Sequence, residues 1–243
     1  MRLQLAAPLA LGVLPYAPTL DSVLLGLLAG GTILTGNAGE ELQEQLGDLV
    51  AVTDGVPAAS CLWPDDDSTP HVRTDTYPRF ASVDIVRYWC GGNYGLSVRE
   101  DNLGEGNDTT RSGPFTAKMH QVRSLYAQQW TWWAVGDPEA TAAALHGRLL
   151  SVGGQRGKGY GTVTAINIAP AGEHDWRTVG IDQITPGRPI PLAAADRTLQ
   201  LGGVTLDELN PESYAIVPLP AWPAPTWGVG PFEATVVPIL EVD

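Results

Sequence analysis

Residues 136–168 read GDPEATAAALHGRLLSVGGQRGKGYGTVTAINI. Asp137 suits a helix N-cap, Pro138 the first helical position, and Glu139 places negative charge in the first turn. Ala142, Leu145, Leu149 and Val152 then recur at three- and four-residue spacing, which predicts a helix that runs on to an exit at Gly153-Gly154. From Tyr160 to Ile168, Val163, Ala165 and Ile166 are interspersed with Thr and Asn, and a strand is predicted. The segment between them, Gly153-Gly154-Gln155-Arg156-Gly157-Lys158-Gly159-Tyr160-Gly161, holds five glycines in nine residues. Such a backbone turns tightly and brings its N–H groups close to an anion, while Arg156 and Lys158 add positive charge. A plain glycine C-cap accounts for Gly153 and Gly154 but not for the alternation of glycine and cation after them. The loop is therefore expected to bind phosphate. Lys158 precedes Gly159 rather than Ser or Thr, and the order is helix into strand, so neither a Walker A loop nor a dinucleotide fingerprint fits. A helix exit repels anions, which leaves the loop amides and the two cations to do the binding.

Upstream, Arg2 to Leu11 alternates as a first strand and stops at the turn residues Gly12 and Pro15. Leu20, Val23, Leu24, Leu27 and Leu28 then form the apolar stripe of a helix, with Thr19 and Asp21 as candidate caps and Gly30-Gly31 as its end. A short acidic helix fits Glu40 to Leu46. From Thr53 to Pro78 turn residues dominate, and a long excursion is expected. Ser82 to Trp89 and Val122 to Val135 have strand composition and could pair, while Gly91 to Pro114 has the Gly, Asn, Asp and Thr content of a protruding loop. After Pro170, short apolar runs such as Tyr214 to Leu219 and Glu233 to Leu240 suggest strands and loops packed on what precedes them.

In order these elements are strand, helix, strand, strand, helix, strand. That is the split βαβ order, and it predicts an α+β fold with a ferredoxin-like, RRM-like domain. The expected organisation is a domain over 1–169, with an insertion at 31–81 and a loop or thumb at 91–120, followed by a β-rich extension over 170–243. An insertion of this length either carries structure of its own or means that the element count is wrong.

The chain has 243 residues with a formal charge of −13, and as a whole it should repel polyanions. The charge is unevenly spread. Ten of the fourteen Lys and Arg lie between Arg73 and Lys158, against eight acids there, whereas the rest of the chain carries four cations against nineteen acids. A locally basic middle can hold a phosphate backbone while acidic flanks keep non-specific binding low, but composition alone favours ordinary surface charge, since charge runs usually mark solvated faces. Cys61 and Cys90 form no Cys-x-x-Cys pair and the four histidines are scattered, so no zinc spacing is present and neither cofactor nor metal is expected. One disulfide is arithmetically possible, and two buried thiols in a reducing compartment fit equally well. Pro8, Pro15, Pro18 and Asp21 interrupt the apolar N-terminus before a signal peptide can be read, and the run from Val23 to Ala29 is too short to span a bilayer. A cytoplasmic location without membrane association is expected.

The stretch from Gly136-Asp137-Pro138-Glu139 through Leu149 into Gly153 to Gly161 and the following strand resembles the second half of the ferredoxin-like domain of RAMP proteins, the RNA-binding superfamily of CRISPR systems. The opening Pro8 … Leu20-Asp21-Ser22-Val23-Leu24 is similar to the start of the Cas-five-like subunit of type IV effector complexes, the Csf-three family. Pro218-Leu219-Pro220 and Pro231 are similar in style to that family's C-terminal part. The resemblance is specific over about 136–168 and moderate over 1–30. It implies a subunit that caps the 5′ end of a crRNA through the glycine-rich loop and a basic hairpin. It also implies partnership with the backbone and large subunits of the effector complex, and with target nucleic acid through the guide. Gly153, Gly154, Arg156, Gly157, Lys158, Gly159, Tyr160 and Gly161 would then contact RNA, joined by Arg111 in the Gly/Asn/Thr stretch and by Lys118, His120 and Arg123 on the aromatic-rich strand. Tyr160, Tyr126 or a Trp of the 130–133 cluster could stack on a base, although large rings in strands more often fill cores.

Two alternatives belong to other classes. A metal-independent endoribonuclease of the same superfamily would use a histidine near the glycine-rich face, and His120, flanked by Lys118 and Arg123, is its best candidate. His146 lies off the buried stripe of its helix, and His71 and His174 have no visible partner. Glycoside or ester hydrolysis is set aside: Glu40-Glu41 and Asp207-Glu208 are adjacent pairs that do not face one site, and no Gly-x-Ser-x-Gly elbow occurs.

Overall fold

A computed structural model describes residues 1–11, 16–30, 38–53, 55–65, 71–79, 118–172, 174–179, 184–200, 203–209, 212, 214–219 and 233–238. The chain divides into two compact units, Met1–Val72 with Ser124–Asp243, and Arg73–Arg123. In chain order the first elements are β1 (Arg2–Leu5), β2 (Leu9–Ala10), α1 (Leu20–Leu28), α2 (Ala38–Leu49), β3 (Val52–Thr53), β4 (Val56–Pro57) and β5 (Trp63–Pro64). Then come β6 (His71–Arg79), β7 (Lys118–Tyr126), β8 (Gln129–Thr131), α3 (Pro138–Leu145), β9 (Val163–Asn167), β10 (Thr178–Val179), β11 (Thr185–Pro186) and β12 (Ile190–Pro191). The last are α4 (Leu192–Gln200), β13 (Tyr214–Leu219) and β14 (Glu233–Pro238). The fold is mixed α+β, with several small antiparallel sheets.

The first unit is built on a four-stranded sheet of order β5-β8-β1-β9. Strand β1 alternates exposed and buried residues as a half-buried strand must. Leu3 and Leu5 of β1 and Trp130 of β8 point into the core, where they meet Leu20 and Leu24 of α1, Leu46 and Leu49 of α2, and Leu145 of α3. The other face carries Arg2, Gln4, Gln129, Ala165 and Asn167. The last strand, β9, flanks β1 antiparallel (Leu3 opposite Ile166), and β8 also runs antiparallel to β1 (Leu3 opposite Trp130). A βαβ crossover would make its two strands parallel, so the long polypeptide between β1 and β8 returns in the opposite sense.

The expected first strand breaks in two. Ala6 donates its N–H to Thr162 and Pro8 has none to give, so the chain bends and β2 pairs instead with the Ser124-Leu125 end of β7. Helix α1 forms as its stripe predicts, with the Thr19 hydroxyl accepting from the Ser22 N–H. The acidic helix is longer than read from sequence and buries Leu42, Leu46 and Leu49.

Two expectations need correction. The stretch from Thr53 onward is not a loose excursion: Ala58, Ala59, Ser60, Cys61 and Leu62 are all buried. Their small side chains let the backbone pass between neighbours, where it bonds to Ala51, Val135, Trp133 and Gly187. Helix α3 keeps its Asp137 cap, which accepts from the Glu139 and Ala140 N–H groups, but ends at Leu145 rather than near Val152. His146 turns extended (ψ 127°), and Leu149 and Val152 reach the core from an irregular segment whose turns imitate helical spacing.

The C-terminal part belongs to the first unit. Trp133 packs with Trp176 and Val179, and Ile190, Ala195, Leu199, Leu209 and Val236 form a smaller cluster of their own. Helix α4 occupies a region where only strands and loops are expected. Arg188, 8% exposed, forms a two-pronged ion pair with Asp21, 6% exposed, at 3.1 and 3.3 Å, and donates to the carbonyls of Pro57 (2.6 Å) and Ala59 (3.0 Å). The pair ties the start of α1 to the buried 57–59 segment and to residue 188. Cys61, beside it, is a free buried thiol whose pKa is pushed up by burial. Cys90 lies outside the described residues. In the second unit, β6 and β7 are sheet neighbours, and Val122 is buried. The expected strand at 82–89 and loop at 91–114 lie outside the described residues.

Candidate nucleic-acid interface

The glycine-rich segment forms the tip of a narrow backbone hairpin. Val152 donates to the Gly161 carbonyl and Val163 to that of Leu150, both at 2.9 Å, with Ser151 bridged to Thr162 between them. The base of this hairpin is bolted to the first strands: Gly154 donates to Ala10 and Gly161 to Pro8, each at 2.8 Å. Two glycines are dictated by this anchoring. Gly161 has φ +61°, and a Cβ there would overlap the Val152 carbonyl oxygen. Gly153 has φ +84°, and a Cβ would come within 2.7 Å of Leu9 Cδ1 and 2.8 Å of the Ala10 oxygen.

Beyond the base the chain enters a short 3₁₀ turn, Arg156–Lys158, closed by Lys158 donating to Gln155 (2.8 Å) and Gly159 to Arg156 (2.9 Å). Residues 155–159 are exposed. Gln155 sits in the left-handed region at φ +52°, an uncommon conformation for a residue with a long side chain. Gly157 differs from the two anchoring glycines: its φ is not positive and, among the described residues, nothing lies within 4 Å of a Cβ placed there. The fold therefore makes no demand for glycine at that position, between the two cations. Among the described residues, no hydrogen bond of the loop uses the N–H groups of Gln155, Arg156 or Gly157. These are donors at the open end of the turn, next to two positive side chains.

Tyr160 and Gly161, which follow the exposed tip, are buried. Tyr160 is 5% exposed and so is not an open stacking platform. Trp130, Trp132 and Trp133 are buried as core residues, and Tyr126 is exposed. Arg123 on β7 is exposed beside buried Val122 and Ser124, and it belongs to the second unit together with Lys118 and His120, whose strand backbone alone is described. Arg111 lies outside the described residues. His146 is exposed at the end of α3, and His174 lies against the Trp133 ring, centroids 5.3 Å apart.

The loop's anchors on Pro8 and Ala10 were not legible in the sequence, because they are backbone contacts between segments about 150 residues apart. The early end of α3 also changes the electrostatics. The loop starts beyond an irregular connector, so it is not the immediate C-terminal exit of a helix.

No group of three or more His, Cys, Asp or Glu side chains is placed to hold a metal among the described residues, and no described helix is long and apolar enough to cross a membrane. No protein-family model matches the chain, and no curated protein matches its sequence.

Proposed function

We propose that this chain is a non-catalytic RNA-binding subunit that holds the 5′ end of a guide RNA in a class 1, type IV-like CRISPR effector complex. On this reading its first unit is a variant of the ferredoxin-like RAMP domain, and its partners are crRNA and the neighbouring backbone and large subunits. The observation that carries the proposal is the tip at 155–159: a rigidly anchored, exposed turn with Arg156 and Lys158 flanking a glycine that the fold does not require. Uncommitted N–H groups beside two cations suit phosphate oxygens, and a residue without a side chain between them lets a sugar–phosphate chain come close. The acidic remainder of the chain suits a subunit that shares its RNA with others and does not bind polyanions indiscriminately.

The test is the double variant Arg156→Ala/Lys158→Ala, co-expressed with a CRISPR array and the partner subunits. Exposed cations contribute little to stability, so the variant folds normally, and the RNA recovered with the complex falls. RNA recovery equal to the wild type refutes the proposal.

A further inference from the structure

Helix α1 lacks the polar outer face that a surface helix normally carries. Six of its nine residues are Leu or Val, and Asp21, its one charged residue, is buried against Arg188. No charged residue follows until Glu40. Leu20 and Leu24 are buried, whereas Val23, Leu25, Leu27 and Leu28 are only partly covered by the core. On the outward side Ser22, Leu25, Gly26 and Ala29 stand at i, i+3, i+4 and i+7, a row of low relief. By contrast α2 exposes Glu40, Glu41, Glu44 and Asp48. The far end of the row meets the connector that follows α3. Helix α1 has no basic residue in its last turn, and Arg148 supplies one: its Nη2 donates to the Leu27 carbonyl at 2.5 Å. An arginine carries five N–H donors, and this is the single side-chain bond of Arg148 among the described residues. Leu150, whose N–H donates to the Arg148 carbonyl, is 71% exposed, more than any other large apolar side chain described.

We infer that this surface, the outward row of α1 with Arg148 and Leu150, docks an apolar segment of a neighbouring protein subunit that places a carboxylate on Arg148. Charge decides the occupant. The stretches from Ser22 to Gly30 and from Ala140 to Gly172 contain no Asp or Glu, in a chain with 27 acids against 14 cations. A second copy meeting the surface with its own like surface would set guanidinium against guanidinium and bring no carboxylate, since an isologous contact joins identical patches. A helix that lies on a membrane needs Lys or Arg along its polar face, which α1 lacks, and a net charge of −13 repels anionic lipid. A carboxylate from another chain makes a charge-assisted pair with the open side of the guanidinium, and apolar side chains beside it cover Leu25 and Leu150. Ser22, Gly26 and Ala29 are small enough to let such a segment lie close to the helix. The inference rests on the proposed complex for the identity of the partner.

The experiment measures association of the full chain with the purified backbone and large subunits, without RNA, by sedimentation velocity. Wild type is compared with Gly26→Glu, Arg148→Glu and Arg148→Lys. Gly26 has no positive φ and, among the described residues, nothing lies within 4 Å of a Cβ placed there, so Gly26→Glu keeps the wild-type urea midpoint or raises it. The added carboxylate nevertheless buries an unpaired charge in the contact and repels that of the partner. The expected result is association with one of the two subunits, weakened about tenfold or more by either glutamate and less by Arg148→Lys. Undiminished association of Gly26→Glu overturns the inference, as does a wild type that associates with neither subunit. Dimers of the chain alone, or binding to phosphatidylcholine–phosphatidylserine vesicles, that Gly26→Glu abolishes overturn it too, by giving the surface to a second copy or to lipid. Failure of the loop reading appears separately, as undiminished RNA recovery in Arg156→Ala/Lys158→Ala, a variant whose docking without RNA stays at the wild-type level.

Discussion

Replacing Gly161 and Gly157 individually with Ala separates what the loop needs to fold from what it needs to bind. At Gly161 the left-handed backbone, φ +61°, costs an L-residue roughly 1–2 kcal/mol. The new Cβ also overlaps the Val152 carbonyl oxygen and lies 2.9 Å from its carbon. Relief moves the Val152 backbone, whose N–H donates to Gly161 at 2.9 Å, and losing that bond adds about 0.5–1.5 kcal/mol. The expected loss is about 2–3 kcal/mol, a large share of the roughly 5–15 kcal/mol that stabilises a typical domain. In urea unfolding it lowers the midpoint by roughly 1 M at the upper end of the usual slopes. At Gly157 neither strain nor contact arises, so stability stays within about 0.5 kcal/mol, or rises slightly because the unfolded chain is restricted. RNA affinity nevertheless falls, because a methyl now stands between Arg156 and Lys158. A wild-type midpoint for Gly161→Ala, or an equal loss of stability at both positions, refutes the assignment of separate anchoring and binding glycines.

Asp21→Ala strands the buried Arg188 guanidinium and should cost about 3–5 kcal/mol, whereas Asp21→Leu/Arg188→Met should cost less than its two single changes together. Strictly additive losses in a urea double-mutant cycle would contradict the pairing. Burial raises the Cys61 thiol from its ordinary 9.0 and pushes the Tyr16 phenol from 10.0 up to about 12. The folded state holds these protons longer than the unfolded one, so stability is complete below pH about 9 and declines as pH rises above it. In a Cys90→Ser background, thiolate absorbance should stay absent near pH 9 until the protein unfolds, and a titration at the ordinary value would refute the burial. Finally, neither the wild type nor His120→Ala should cut a CRISPR repeat RNA without metal. Histidine-dependent cleavage products on a gel would replace the binding role with an endonuclease.

Local chemistry made the ends of elements legible from the sequence. Thr19 and Asp137 cap α1 and α3 because a hydroxyl or carboxylate next to free N–H groups needs no distant partner. The alternation of Arg2 to Leu5 is local too, and the glycine–cation alternation marked the loop because its turns are short-range. Where α3 ends was misread for an instructive reason. Leu149 and Val152 do reach the core, and burial periodicity does not distinguish a helix from a chain that turns at the same rate. Helix α4 was not read from the sequence, because it is short, is framed by proline-rich sequence and buries only Ala195, Thr198 and Leu199.

The sequence by itself determined the capped helices, the alternating strands and an exposed, glycine-rich turn carrying Arg156 and Lys158. Tertiary structure decided that this turn is bolted to Pro8 and Ala10, that Tyr160 is buried, that Asp21 finds Arg188 in the core, and that Gln4, Gln129 and Asn167 share one face of the sheet. The division follows from range. Caps, turns and alternation are settled within a few residues, whereas backbone docking, a buried ion pair and strand register join segments more than a hundred residues apart, and no local pattern encodes their meeting.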